Sequence, residues 1–347
     1  MRVGIIGCGR ITEFRHAPEY TENPDCEIVG CCDTNPERSQ FIVNMFGGKA
    51  FAAPTELLAQ KLDAVSVCAA NRDHARLAME ALRSGANVLC EKPMAVTLEE
   101  CESMVRAARE MGKTLVVGHN QRLAAAHRKA REMIAQGVIG RPLSFRTTFG
   151  HSGPEIWTGT RNPWFFDGSR SAFGALADLG AHKIDIVQYL LGEPIVEVTA
   201  YLPTLDKTYP DGEPINVDDN AVCIMKTRSG AVGTLHASWT FYPPEDNSTV
   251  VYGSKGTIRC FADPAASLIA ESKEGKTERF DLDPITTNED QLSGMRRNTG
   301  VIDDFVRAIQ TGVPSVNDGA SALQTMRVVF AAIRSNGEGH VPVAVNQ

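Results

Sequence analysis

Three groups of residues in this 347-residue chain have the types and spacing that chemistry requires. Glu91-Lys92-Pro93 follows the apolar Val88-Leu89-Cys90 without a spacer. Pro93 cannot continue a central strand, so the spacing predicts a strand end at Lys92, on the edge where open α/β sheets bind ligands. Asp178 and His182 stand four apart and share a face of a predicted helix that Asp185 continues. Gly7-Cys8-Gly9-Arg10-Ile11-Thr12 follows the short apolar run 2–6 directly. Its glycines allow a tight turn and a close backbone approach to a pyrophosphate, and a helix opening near Ile11 offers its first N–H groups to that phosphate. An amine, a carboxylate and an imidazole are groups for moving protons and stabilising developing negative charge. Each also has a plain structural reading: a solvated Glu-Lys pair at a strand end, or a surface hydrogen bond between Asp178 and His182.

The elements that must position these groups alternate. Strands are predicted at 2–6, 27–32, 64–68, 88–90 and 114–118. Helices are predicted at 54–58, 75–84 and 97–111, the last with capping-box spacing between Thr97 and Glu100. Asp33 ends the second strand, where an acidic side chain hydrogen-bonds the adenosine ribose and repels a 2′-phosphate; a helix cap or turn is its structural alternative. That favours NAD, with NADP left open by Arg38. Asn71 and His74 open the helix after the third of these strands. The repeated units predict a doubly wound parallel (Rossmann) sheet over 1–121.

From residue 122 the pattern changes to an α+β domain, 122–347. A helix at 124–136 and a strand at 143–149 lead into an irregular stretch, 151–171, rich in Gly, Trp, Arg, Asn and Pro. Then comes the helix at 173–191 with its tiny residues Gly174, Ala177, Gly180 and Ala181. Strands at 196–201, 220–227, 231–240, 248–252, 257–261 and 267–271 predict a large, mostly antiparallel open sheet. Helices at 299–310 and 319–334 follow, with Asp318 as a cap. An uncovered face or edge of that sheet suits self-association, so a homo-oligomer is expected.

Composition narrows the class. Net charge is −7 with no basic run, which points away from nucleic acid and anionic membranes. No apolar run is long enough to span a bilayer, and no signal-peptide pattern opens the sequence. Nine cysteines, several in strand-like runs and none in a Cys-x-x-Cys pair, read as reduced core thiols of a cytoplasmic protein without structural zinc.

Four signatures in one order carry a family resemblance: Gly7-Cys8-Gly9-Arg10, Glu91-Lys92-Pro93, Gly137-Val138-Ile139-Gly140-Arg141-Pro142 and Asp178-Leu179-Gly180-Ala181-His182. Together the chain resembles the Gfo/Idh/MocA oxidoreductases over nearly its whole length. The resemblance implies that Lys92 sits beside the nicotinamide and the reacting hydroxyl, that Asp178 and His182 act on the substrate with the histidine as proton acceptor, and that Glu91 and Asn71 contact the ribose or nicotinamide end. The chain departs from the family pattern at Thr12, in the third glycine position, and at His119, where an aromatic residue is common.

The implied activity is NAD(P)-dependent oxidation of a secondary ring hydroxyl of a sugar, glycoside or cyclic polyol, with no metal. An imidazole of ordinary pKa accepts the alcohol proton near neutrality, and an ammonium stabilises alkoxide charge. Arg122, His151, Arg161, Asn162 and Trp164 are further pocket candidates, Trp164 by stacking on a pyranose face, although a core tryptophan reads equally well. Other readings stay open: glycoside cleavage by transient oxidation and elimination, reduction of a small carbonyl or imine, and a non-catalytic ligand sensor.

Overall fold

A computed structural model describes residues 1–285, 293–294 and 296–346. The chain forms two compact units, Met1–Asn120 with Asn288–Leu323, and Gln121–Thr287 with Gln324–Gln347.

In the first unit, β1 (Arg2–Ile6), β2 (Glu27–Cys32), β3 (Lys49–Phe51), β4 (Ala64–Val67), β5 (Asn87–Cys90) and β6 (Leu115–Val117) make one parallel sheet in the order β3-β2-β1-β4-β5-β6. Strand β4 is buried throughout, and Val88, Leu89 and Cys90 of β5 are buried too, which explains their unbroken apolar runs. The order reverses between β1 and β4, so the ligand-binding crevice of this sheet type lies at their carboxyl ends. Thr97 and Glu100 form the expected capping box on helix Leu98–Glu110. The short edge strand β3 and helix Pro36–Phe46 were not legible in the sequence; three residues give no period to read.

The structure corrects the expected single boundary at 121/122, because the chain returns to the first unit. Helix Val301–Thr311 buries Val301, Ile302, Phe305, Val306 and Ala308. The buried Glu19 carboxylate accepts from the Thr299 amide at 2.9 Å, the Thr299 hydroxyl at 2.8 Å and the Ile302 amide at 3.4 Å. Asn317 O accepts from Val117 N–H at 3.0 Å.

The second unit holds a nine-stranded sheet of β7 (Pro142–Gly150), β8 (Ile195–Tyr201), β9 (Asn220–Thr227), β10 (Val232–Ser238), β11 (Thr249–Gly253), β12 (Gly256–Asp263), β13 (Ala266–Ser272), β14 (Thr277–Phe280) and β15 (Val343–Ala344). The order is β14-β13-β12-β11-β7-β10-β9-β8-β15, antiparallel except for the β7–β10 pair. Along β9, Ala221, Cys223 and Met225 are buried while Val222, Ile224 and Lys226 are exposed, so one face is covered and the other open. Helices Ala125–Ala135 and Ala181–Leu191 pack on each other; the first also meets β12 and β13, the second β7. The stretch 151–171 is not irregular throughout: it contains the helical turns Pro154–Thr158, Trp164–Phe166 and Gly168–Ser171.

Both helices that carry sequence motifs open differently from expectation. Thr12–His16 and Leu176–Gly180 are π-helical turns, closed by Ala17 N–H to Thr12 O and Ala181 N–H to Leu176 O. A π-turn inserts a residue into the α-helical ladder and often marks a functional stretch.

Candidate active site

In the first unit the glycine turn has the backbone geometry its sequence predicts. Gly7 has φ +94°, and a Cβ there would come within 2.4 Å of Cys68 O, so the turn lies directly on the end of β4. Thr12 occupies the third glycine position without loss, since its hydroxyl donates to Gly7 O at 2.6 Å and the residue is buried. At Gly9 the situation is opposite. A Cβ would meet nothing within 4 Å among the described residues, so packing does not demand glycine there. The residue type fits a bound phosphate that approaches the backbone closely. Gly9→Ala is therefore expected to leave thermal stability unchanged and to weaken NAD binding roughly tenfold or more, a gap of about 1.4 kcal/mol, as read by calorimetric titration.

Asp33 stands where the ribose-binding acid belongs. Its Oδ2 accepts from Cys8 N–H at 2.6 Å and its Oδ1 from Asn35 N–H at 2.8 Å. Oδ1 also accepts from the Thr34 hydroxyl at 3.4 Å, and Oδ2 has a second lone-pair site for a hydroxyl donor. Arg38, the residue that left NADP open, donates to Cys8 O and Glu13 at 2.9 Å each and lies over Phe41. Arg10 and Ile11 flank the turn half-buried, and the Arg10 guanidinium covers the Phe14 ring at 4.8 Å.

Asn71 is buried in the short turn Asn71–Asp73 after β4. His74, next along, places its two ring nitrogens on carbonyls, 2.8 Å from Pro93 O and 3.0 Å from Ala69 O. Burial pushes its pKa below the usual histidine range, so the neutral ring donates to only one of them. His74 thus ties together the loops after β4 and β5.

Lys92 is half-buried just past the end of β5, and its peptide bond to Pro93 is cis. Glu91 is buried beside it. The Glu91 side chain accepts from Arg15 and His16 at 3.3 and 2.9 Å and from the Lys92 amide at 3.1 Å. His119 is buried two residues beyond β6.

In the second unit two candidates lie against Phe149. His151 and His182 each place their rings 5.9 Å from it, and the Lys183 ammonium lies 5.8 Å over its face. His151 Nδ1 accepts from Gly153 N–H at 3.0 Å. His182 is buried. Asp178 accepts from the Trp239 indole at 3.1 Å, and Trp239 in turn packs on Phe166. The helix start is pinned by half-buried Asp218, whose carboxylate accepts from Gly174 and Leu176 N–H. Burial still pushes that acid up to about 6, against those two hydrogen bonds.

Arg122 makes a bidentate pair with buried Asp185, at 2.7 and 2.6 Å, and Thr325 donates to the same carboxylate. Arg161 and Asn162 are exposed, and half-buried Trp164 stacks on Phe165 at 4.0 Å.

Lys183 itself escaped the sequence reading. It is fully buried, donating to Asn247 O at 2.8 Å and Thr249 Oγ1 at 3.4 Å, with no carboxylate in ion-pair range among the described residues. Burial lowers its pKa to about 7, opposed by the charges of Asp246 and Glu245. The unfolded chain therefore binds a proton that the folded protein releases between about pH 7 and the ordinary lysine value. Stability gains on the order of a few kcal/mol as pH rises through that window. Urea unfolding at a series of pH values is expected to show this slope in the wild type and to lose it in Lys183→Met.

Among the described residues no group of three or more His, Cys, Asp or Glu is placed to hold a metal ion, and no helix is long and apolar enough to cross a membrane. Residues 1–119 match the family model for an oxidoreductase family with an NAD-binding Rossmann fold, and 127–259 match the GFO/IDH/MocA C-terminal domain. The chain is 34% identical to the D-glucoside 3-dehydrogenase of Escherichia coli over 200 residues, 57% of this chain but only 56% of that enzyme. It is 29% identical to the myo-inositol 2-dehydrogenase of Thermotoga maritima over 341 residues, 96% of each chain. A levoglucosan dehydrogenase solved with NADH and levoglucosan superposes with a TM-score of 0.86 at 25% identity, covering 100% of this chain and 99% of that one. The glycine turn at Gly7–Gly9, the acid at Asp33 and these matches agree, and the chain belongs to the Gfo/Idh/MocA family of NAD-binding oxidoreductases.

Proposed function

We propose that this enzyme oxidises a secondary ring hydroxyl of a sugar, glycoside or cyclic polyol, with NAD as hydride acceptor. The observation that carries the reading is the coexistence of an amine at the carboxyl edge of the NAD-binding sheet with a half-buried carboxylate and a buried imidazole on one helical stretch. Relatives named as glucoside and inositol dehydrogenases support the substrate class. The first unit binds the dinucleotide through Gly7, Cys8, Gly9, Arg10, Ile11, Asp33, Asn71 and the loops that His74 joins; the second supplies substrate contacts. NAD, when bound, takes the hydride from carbon. His182 accepts the hydroxyl proton, Lys92 stabilises the alkoxide charge, and Asp178 orients His182 or holds a neighbouring hydroxyl. Engagement of Arg38 with Glu13 and Cys8 O supports NAD over NADP. His151, Arg161, Asn162 and Trp164 are proposed to line the sugar site. Arg122 serves it indirectly, through Asp185 on the same helix. The open face of the large sheet, with Val222, Ile224, Val232 and Tyr201 exposed, is proposed as the surface of self-association.

The test is NADH absorbance with purified protein, NAD and a panel of hexoses, glycosides and inositols. NADH formed with one of these classes is the expected result. Glycoside cleavage seen by mass spectrometry without net NADH moves the reading to redox-neutral cleavage. NADH consumption with small carbonyls but not with keto-sugars moves it to a reductase.

A further inference from the structure

Beneath the Lys92 turn lies a buried polar cluster whose members come from β4, the end of β5, the π-turn after the glycine loop and the helix Ala17–Glu22 that continues it. The His16 ring bridges Ser66 Oγ at 3.0 Å and Glu91 Oε1 at 2.9 Å, and Tyr20 OH reaches the same Ser66 hydroxyl at 2.8 Å. Arg15 approaches Glu91 Oε1 at 3.3 Å, while Glu91 Oε2 accepts the Lys92 amide. On its far side the carboxylate lies against bare backbone: a Cβ on Gly118 would stand 2.8 Å from Oε1 and 3.0 Å from Oε2. Glu91 is 5% exposed and His16 3%, so both are closed off by protein.

Charge supports the same picture. Burial alone raises the Glu91 carboxyl, but the His16 hydrogen bond and the Arg15, His16 and Lys92 charges outweigh it and hold the group well below the usual carboxylate range. Burial disfavours a charged His16, yet the neighbouring Cys68 sulfur and Glu91 raise it to about 10. The cluster thus sets the Glu91 carboxylate against the His16 ring, each favouring the other's charged form. A partnered buried charge is costly to disturb, because displacing either member leaves the other uncompensated.

We infer that His16 is a positioning residue for Lys92: it holds Glu91, and Glu91 fixes the backbone from which the lysine projects. The inference rests on the proposed dehydrogenase reading for what Lys92 does, but not for the geometry. The π-turn at Thr12–His16 puts Arg15 and His16 on this carboxylate directly after the glycine turn. The same short segment therefore holds the cofactor turn and the lysine turn in one frame. The family resemblance assigns Glu91 to the cofactor; in the structure its oxygens accept from Arg15, His16 and the Lys92 amide.

The experiment compares His16→Leu, His16→Gln, Ser66→Ala and Gly118→Ala by steady-state kinetics and by hydrogen exchange of peptides covering 88–94. His16→Leu removes the donor to Glu91 at similar volume. His16→Gln keeps a side-chain N–H. Gly118→Ala pushes the carboxylate from the opposite side without touching His16. In His16→Leu and Gly118→Ala, kcat is expected to fall about 10- to 100-fold, as sub-ångström misplacement of a reacting group does. The KM for NAD should stay within about twofold and exchange at 88–94 should rise about tenfold, roughly 1.4 kcal/mol of lost protection. His16→Gln should recover most of both, and Ser66→Ala should move neither by much. Unchanged exchange and kcat in both His16→Leu and Gly118→Ala overturns the inference. So does an equal loss in Ser66→Ala, which would make the cluster general packing. Should His16→Leu fail to fold, Gly118→Ala and His16→Gln decide. Should the wild type reduce no NAD with any substrate, the functional reading fails and the exchange measurement alone decides the positioning.

Discussion

Lys92→Ala is expected to lower kcat/KM by about 10³-fold while the Kd for NAD changes by no more than about twofold. The amine is half-buried at the end of a strand whose last three residues are buried, so truncating it opens no core cavity. Its loss should fall on the transition state, where charge develops on the substrate oxygen, and so appear in kcat and kcat/KM together. Pre-steady-state NADH formation separates this from slow product release. A variant that keeps kcat but raises the substrate KM would assign Lys92 to binding alone.

Arg122→Met is expected to destabilise the second unit by about 3–5 kcal/mol, the usual result of stripping one partner from a buried ion pair. Asp185 is 1% exposed, and the change removes the bidentate Arg122 guanidinium from its carboxylate while the Thr325 hydroxyl stays. Arg122→Met with Asp185→Leu should regain most of the loss, because a hydrophobic pair of similar volume removes the stranded charge. Urea unfolding of the two variants against wild type measures both effects. A single variant as stable as wild type would show that the pair contributes nothing net. Because Asp185 lies three residues from His182 on one helix, a damaged pair should also reduce kcat.

What was legible in the sequence was local. The glycine turn, Asp33, Lys92 and the Asp178/His182 pair sit at element ends or on one helix face, where residue type and spacing suffice. The parallel sheet was legible because apolar runs, caps and glycine stops recur in order. What stayed hidden was set by partners far apart in sequence. His16 is 75 residues from Glu91, Trp239 is 61 from Asp178, and Arg122 is 63 from Asp185. A histidine shortly after the glycine turn was the one available hint of the first. Nothing near Trp239 announces its indole bond, because its partner Asp178 lies on a helix far back in the chain. The two π-turns were invisible for another reason: a single inserted residue does not disturb a hydrophobic period over so short a stretch.

The return of Asn288–Leu323 to the first unit bears on how the protein is made. A ribosome delivers the six parallel strands long before Val301–Thr311 emerges, so the nascent dinucleotide-binding unit waits, with Glu19 lacking Thr299 and Ile302, through synthesis of the whole large sheet. Contacts of such wide sequence separation close late and slowly. A gene fragment cut after residue 121 is accordingly a poor expression unit. A permuted gene that fuses the closing helix ahead of Met1 would deliver that cover first.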